Sequence, residues 1–302
     1  MNRALTKRYI PKMDTEVTFL GFGALEIGRN WGLGDDKERP AEEVAGQVLN
    51  TVLDAGINLI DSASAYHRSE ERIGKFVSSR RNEYVLATKC GEHSNEPATY
   101  YDFSYEAITE SIDRSLKLLN TDVIDLIQIH FGPDSEGVLD RGDTLRAMQD
   151  ARKAGKVRYL GASIDGDLAK RCILSGDFDV MQLGYNLFHQ GNAENIRLCK
   201  ERGMGVLIRS GLGNGLLTPR VAANLDRLGE HDRVKAEKLL KLVEGDTELL
   251  TALGLHFLYE NDGISSVIVG TKKPANVAKN VELLKRDLPE GLLEKAKAAV
   301  SE

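Results

Sequence analysis

The feature that most constrains this chain is a single alternation that runs from one end to the other. Short β-branched or apolar runs, at residues 19–22, 58–61, 84–89, 123–130, 158–163, 180–183, 205–209 and 266–269, are separated by longer amphipathic stretches. Those stretches, at 40–54, 69–78, 104–119, 143–154, 167–174, 193–201, 246–259 and 274–284, carry helical spacing. Strands that alternate with helices build a parallel sheet, and eight such units are what a closed (β/α)8 TIM barrel needs. Glycine at Gly56 and Gly203 ends helices, while Ser69 and Asp143, with the acids near them, are expected to cap them. The competing doubly wound sheet wants G-x-G-x-x-G after its first strand, but GFGALEIG puts Gly21, Gly23 and Gly28 at other spacings. These glycines read as turn requirements at a barrel rim.

Three segments fall outside the repeat. The N-terminal segment is expected to lie over the barrel bottom, residues 290–301 to form an extra C-terminal helix, and residues 212–245, rich in charge and glycine, to form an insertion after the seventh strand. Long loops on the C-terminal rim face the site in this fold, so the insertion is a candidate cover for a ligand. One domain spanning 1–302 accommodates everything.

Composition narrows the function. With 302 residues, 41% hydrophobic and 28% charged, the chain has material for a large core. Its net charge of -6 argues against nucleic acid or an anionic membrane as partner. The three cysteines, Cys90, Cys172 and Cys199, are widely spaced and lack metal-site or disulfide patterning, which fits a cytoplasmic protein. No secretory h-region or membrane-length apolar run is present. No metal is expected, and the sequence carries no signal for oligomeric state.

The chemistry gathers at strand ends. NLID ends in Asp61, YVLATK in Lys89 and DLIQIH in His130, and Tyr66 opens the loop five residues after Asp61. Parallel barrel strands bring their C-terminal ends to one mouth, where polar residues read as catalytic. A free phenol, near pKa 10, is a poor acid at neutral pH. A buried ammonium at Lys89 would lower that value, Asp61 would keep the ammonium charged and aimed, and a neutral His130 would donate to a carbonyl oxygen.

At these residues the chain resembles the aldo-keto reductase superfamily, in its bacterial-type general oxidoreductase branch. The likeness runs through NLIDSASAYHRSEERIGK, LATK, DLIQIH, YLGAS, MQLGYN, GVLIRSGLGNGLLT and VIVGTKKPANVAKN. The resemblance implies reduction of a small aldehyde or ketone, or oxidation of the matching alcohol or sugar. NAD(P)H would lie extended across the barrel mouth, with Asp61, Tyr66, Lys89 and His130 as the catalytic four. It also implies cofactor contacts from Ser163, Gln182, Arg209, Ser210, Leu212, Gly270, Thr271, Lys272, Asn276 and Asn280. NADP(H) is favoured over NAD(H) because Lys272 and Lys273 precede the helix that starts at Pro274.

Three positions differ from the family pattern. Ile164 follows Ser163 where Asn is common, with Asp165 as a substitute partner for the carboxamide. Arg209 stands where many members have a stacking Tyr, and Asn276 stands where NADPH-dependent members have Arg. The alternative reading is a nicotinamide-nucleotide-binding regulatory subunit with little turnover. Cys90 is expected to be inert, Tyr185 to be either a rim aromatic or a buried tyrosine with a bonded hydroxyl, and His67 and Trp31 to be pocket or surface residues.

Overall fold

The computed structural model describes residues 2–32 and 36–301. Strands β1 (Lys7–Ile10) and β2 (Thr15–Thr18) form an antiparallel hairpin ahead of the barrel. The chain continues through β3 (Leu20–Gly23), β4 (Leu59–Asp61) and β5 (Val85–Cys90). A second hairpin follows, made of β6 (Glu92–Asn95) and β7 (Ala98–Tyr101). Then come β8 (Ile124–His130), β9 (Val157–Ser163), β10 (Val180–Gly184), β11 (Gly205–Arg209) and β12 (Ser266–Gly270). Eight of these close a parallel barrel in the order β3, β4, β5, β8, β9, β10, β11, β12, with β12 pairing back onto β3.

Each of the eight barrel strands falls where the sequence pattern puts it, within a residue or two, because an apolar run bounded by turn residues has only one register that buries it. Residues two apart on a strand share a face. On the inner face, Leu59, Ala87, Leu126, Val180 and Leu207 form an apolar layer that packs against Ile10, Met13 and Val17 of the N-terminal hairpin. The hairpin therefore plugs the barrel bottom. Two residues further along the same strands come Asp61, Lys89, Gln128, Gln182 and Arg209, so strand period alone stacks a polar layer on the apolar plug. The outer face, with Ile60, Leu86, Ile127, Met181 and Ile208, is buried against the surrounding helices.

The plug is tied down by Arg8. Its guanidinium donates to the carbonyls of Asn261 (2.8 Å), Tyr259 (2.5 Å) and Ile264, and lies over the rings of Phe19 and Tyr259.

Two expected helix caps do not form. The Ser69 hydroxyl turns inward to the carbonyl of Ala24 (2.9 Å) and pairs with Ser62 Oγ (2.9 Å). Asp143 sits one residue inside its helix and pairs with Arg146 instead, behind a left-handed Gly142. Gly28 is required by close approach rather than by a turn, because a Cβ there would stand 2.2 Å from the Tyr66 carbonyl oxygen. The 212–245 insertion holds a helix, Glu230–Leu242, which packs against the C-terminal helix Leu292–Val300. No helix among the described residues is long and apolar enough to cross a membrane.

Candidate active site

At the C-terminal mouth, β4 and β5 lie side by side with Asp61 opposite Ala87, and β5 and β8 pair Lys89 with Gln128. This register puts the Lys89 ammonium 2.5 Å from Asp61 Oδ2, 2.8 Å from the Ser62 carbonyl and 3.5 Å from the Tyr66 hydroxyl. Lys89 and Asp61 are almost fully buried. The other Asp61 oxygen accepts from Gln128 Nε2 (2.9 Å) and Gln182 Nε2 (3.0 Å). A buried carboxylate so surrounded is fixed in orientation and holds its partner in place. Burial pulls the Lys89 ammonium down, but Asp61 and Tyr66 outweigh it, leaving its pKa above the ordinary lysine value.

Tyr66 is held over this pair by a pinned loop. Its amide bonds to the Ala63 carbonyl (3.0 Å), Ser64 Oγ donates to the Glu92 carbonyl (2.6 Å), and Gly28 packs directly beneath. The expected acidification of the phenol is corrected in sign. Burial raises the Tyr66 pKa above its usual value near 10, and the opposing pull of Lys89 offsets this only in part. In this state the phenol holds its proton, and the neighbouring ammonium limits the cost of ionising it.

His130 ends β8 with its ring edge-on to Tyr66, centroids 5.9 Å apart. Burial, with Lys89, Arg209 and Arg29 nearby, pushes its pKa down to about 3, so the imidazole is neutral. Its Nδ1 is sealed from solvent and lies 3.0 Å from Glu92 Oε2, without an aligned hydrogen bond.

These side chains open into one elongated cavity of about 800 Å3. Asp61, Tyr66 and His130 line one part of it; Ser163, Gln182, Arg209, Ser210 and Leu212 line its flank. Gly270, Thr271, Asn276 and Asn280 line the stretch that reaches the helix Pro274–Lys285. Lys89 lies beneath the floor, where it touches Tyr66 rather than the cavity.

Of the ten residues expected to contact a cofactor, only Lys272 does not line the cavity, and that expectation is corrected. Its ammonium is bound by Asp36 Oδ1 (2.7 Å) and by the carbonyls of Asp36 (2.9 Å) and Glu38 (2.7 Å). It anchors the first rim loop, while Lys273, 3.6 Å from the other oxygen of Asp36, is the member of the pair that lines the groove. Asp165 is likewise not a free carboxamide partner, because it already accepts from the Gly184 amide and Asn192, each at 2.8 Å, and pairs with Arg209. Cys90 is buried and its thiol is pushed up to about 12, as inertness requires. Tyr185 is the buried kind of tyrosine, stacked on Phe257. His67 bonds to Ser94 through Nδ1 (2.7 Å), while Trp31 lines the cavity.

The comparisons with known proteins point the same way. The family model described as Aldo/keto reductase family matches residues 20–300. The chain belongs to the aldo/keto reductase family. Among curated proteins, it is 27% identical over 295 residues to the uncharacterized oxidoreductase YqkF of Bacillus subtilis, covering 92% of this chain and 90% of that one. It is 29% identical to the L-galactose dehydrogenase of Arabidopsis thaliana, covering 91% and 86% of the two chains. Among solved structures, the holo form of aldo-keto reductase AKR11C1 from Bacillus halodurans superposes with a TM-score of 0.81 at 25% identity, covering 98% and 96%. This aldo/keto reductase is thus an oxidoreductase built on a (β/α)8 barrel, and the alternative of a slow regulatory subunit gains nothing from these matches.

Several groups in this aldo/keto reductase site escaped the sequence pattern. Gln128 shares the inner face with Leu126 and His130, and its parity on β8 could have revealed it. Glu92 and Tyr101 reach the cavity on a hairpin whose sequence, EHSNEPATYY, reads as a polar loop. Arg29 and Arg220 come from loops, and Glu26 from the one-turn helix Leu25–Gly28, with no period to betray them. Glu26 is the most unusual of these. Burial raises its carboxyl pKa, and its Oε2, 3.9 Å from Arg220, has no hydrogen-bond partner.

Proposed function

We propose that the protein transfers hydride between a nicotinamide nucleotide and a small carbonyl or alcohol, with Tyr66 as general acid and base. The observation that carries this reading is the Lys89 ammonium, sealed below the cavity between the Asp61 carboxylate and the Tyr66 hydroxyl. A nucleotide fits the groove by its shape and charge. Gly23 and Gly270 face each other so closely that a Cβ on Gly270 would stand 3.2 Å from the Gly23 carbonyl, which keeps that part of the groove clear. Arg220, Lys273 and Lys279 line the groove as cations for phosphate oxygens.

Ser163 and Gln182 would hold the carboxamide and Arg209 would cover the ring. Ser210, Leu212, Gly270, Thr271, Asn276 and Asn280 would line the dinucleotide. The cofactor supplies the hydride. In reduction, Tyr66 donates its proton to the oxygen as negative charge builds there, Lys89 stabilises the phenolate left behind, and Asp61 keeps Lys89 charged. His130 shares the reacting oxygen. In oxidation, Tyr66 recovers the proton from the alcohol.

Beside the reacting groups, Arg29, Glu92 and Tyr101 give the cavity polar walls, which suit a hydroxylated aldehyde or sugar better than an apolar one. A preference for NADP(H) rests now on Lys273 and Lys279, since Lys272 is engaged elsewhere. A cytoplasmic setting suits three buried free thiols.

Steady-state turnover of NADH and NADPH with a panel of aldehydes and sugars tests the reading. Tyr66→Phe should lower kcat by about 10²–10⁴-fold while nucleotide binding, followed by fluorescence, is retained. Unchanged turnover in that variant would remove the assigned role.

A further inference from the structure

At the end of the groove away from the reacting groups, the chain supplies its own anion to a pair of lysines. The Lys272 side chain is 6% exposed, and its ammonium is bound by Asp36 Oδ1 (2.7 Å) and by the carbonyls of Asp36 (2.9 Å) and Glu38 (2.7 Å). An ammonium has three hydrogens to donate, so these partners fill it. The other Asp36 oxygen stands 3.6 Å from the Lys273 ammonium. Bonding to Lys272 holds the Asp36 carboxyl below the ordinary aspartate value, which leaves it charged at neutral pH. The loop that presents it is closed at its base, where the Trp31 amide donates to the Lys37 carbonyl (2.8 Å) and the Arg39 amide to Asn30 Oδ1 (3.0 Å). Glu26 is the other acid of this stretch, but the cation it faces is Arg220, 3.9 Å away, while Asp36 is in contact with Lys272 and beside Lys273.

We propose that Asp36 is a specificity-determining residue, whose carboxylate occupies the lysines that would otherwise receive a phosphate monoester and so holds down the preference for NADP(H) over NAD(H). The inference rests on the groove being the nucleotide site proposed above, and it names the residue that sets the choice between the two nucleotides there.

The two nucleotides differ by one phosphate on the adenosine ribose, a group that carries about −1.5 to −2 charges at neutral pH and needs donors. Lys272 has none to spare. Lys273, which lines the groove, can turn to the phosphate only by sharing its charge with Asp36. The phosphate also meets the carboxylate as a like charge across the same cations, which opposes binding. NAD(H) brings no charge to this place and leaves the Asp36 contacts as they stand. The cost therefore falls on one nucleotide and not on the other.

Calorimetric titration of the full chain with NADPH and with NADH tests this. Asp36→Asn removes the charge while keeping the shape of the side chain and the two loop carbonyls on Lys272. It should lower the Kd for NADPH about fivefold and move the Kd for NADH by less than about twofold, shifting their ratio toward NADPH. Glu38→Gln is the control for bulk charge, because Glu38 meets Lys272 through its backbone carbonyl, and it should leave the ratio unchanged.

An unmoved ratio in Asp36→Asn overturns the proposal. Equal tightening of both nucleotides does the same, since it marks a general effect of the loop, as does an equal shift in Glu38→Gln. Wild-type protein that binds neither nucleotide refutes the reading of the groove, and this inference falls with it. Binding of both with an unmoved ratio refutes the role of Asp36 alone, because neither turnover nor Tyr66 enters the measurement.

Discussion

At the residue scale, the proposed proton path is a set of groups held in place by buried charge. Lys89 is the residue whose loss costs most, since Lys89→Met would leave Asp61 ionised in a dry interior with only two amides to satisfy it. Breaking a buried pair in this way destabilises by about 3–5 kcal/mol, which chemical denaturation of the variant should show together with lost activity. His130 gives a pH signature whose sign follows from its depressed pKa. An unfolded chain takes up a proton there below about pH 6.5, while the folded chain resists until about pH 3. Stability contributed by the neutral ring is present above the unfolded value and is lost as pH falls through that window, at up to about 1.4 kcal/mol per pH unit. In His130→Asn, the stability curve measured between pH 6.5 and 4 should be flatter than in the wild type.

Which residues could be read from the chain depended on what marked them. Asp61, Lys89 and His130 announce themselves as ionisable groups ending apolar runs. Gln128 hides because glutamine is common anywhere, and only its parity with His130 distinguishes it. Lys272 misled because adjacent lysines before a proline suggest an anion, whereas the partner that binds the first of them is the carboxylate of Asp36, far away in sequence.

Among the elements, the barrel strands were legible because a buried parallel strand is a continuous apolar run with turn residues at both ends. The β6–β7 hairpin was not, because it is short and its tip and one edge are exposed, with Asn95, Ala98 and Tyr100 in solvent, so no apolar run marks it. The helix Glu230–Leu242 was hidden for a similar reason, with only Ala236 and Leu239 buried among many charges. The N-terminal hairpin carries a prediction of its own. Ile10 is buried against the inner layer, so Ile10→Ala should cost about 2–5 kcal/mol, read as a lower denaturation midpoint with an unchanged slope. Gly28→Ala tests the packing under the catalytic loop. The added methyl must displace the backbone of Tyr66 or the end of its own short helix, Leu25–Gly28, a change expected to cost about 1–3 kcal/mol and to lower kcat through the shifted phenol.

Taken as a whole, the molecule separates scaffold from selectivity. The barrel and its charged layer follow from strand period, while the cavity walls come from the first rim loop, the β6–β7 hairpin and the 212–245 insertion, joined where Arg220 reaches toward Glu26. Ligand binding across these pieces should stabilise all of them together. Saturation at about a hundred times Kd adds roughly 2.7 kcal/mol, visible as a raised Tm and as protection of the insertion from proteolysis. Reversing the charge of Lys273 to Glu should weaken NADPH more than NADH, measured as the ratio of their Kd values; an unchanged ratio would remove Lys273 from nucleotide selection.

The hairpin beneath the barrel has a further effect on traffic. With Ile10, Met13 and Val17 stoppering the lower end, a ligand would reach the polar layer of the barrel from the mouth above. The ammonium beneath that mouth has no back door to bulk water, so while the mouth is filled its proton stays with the reacting groups.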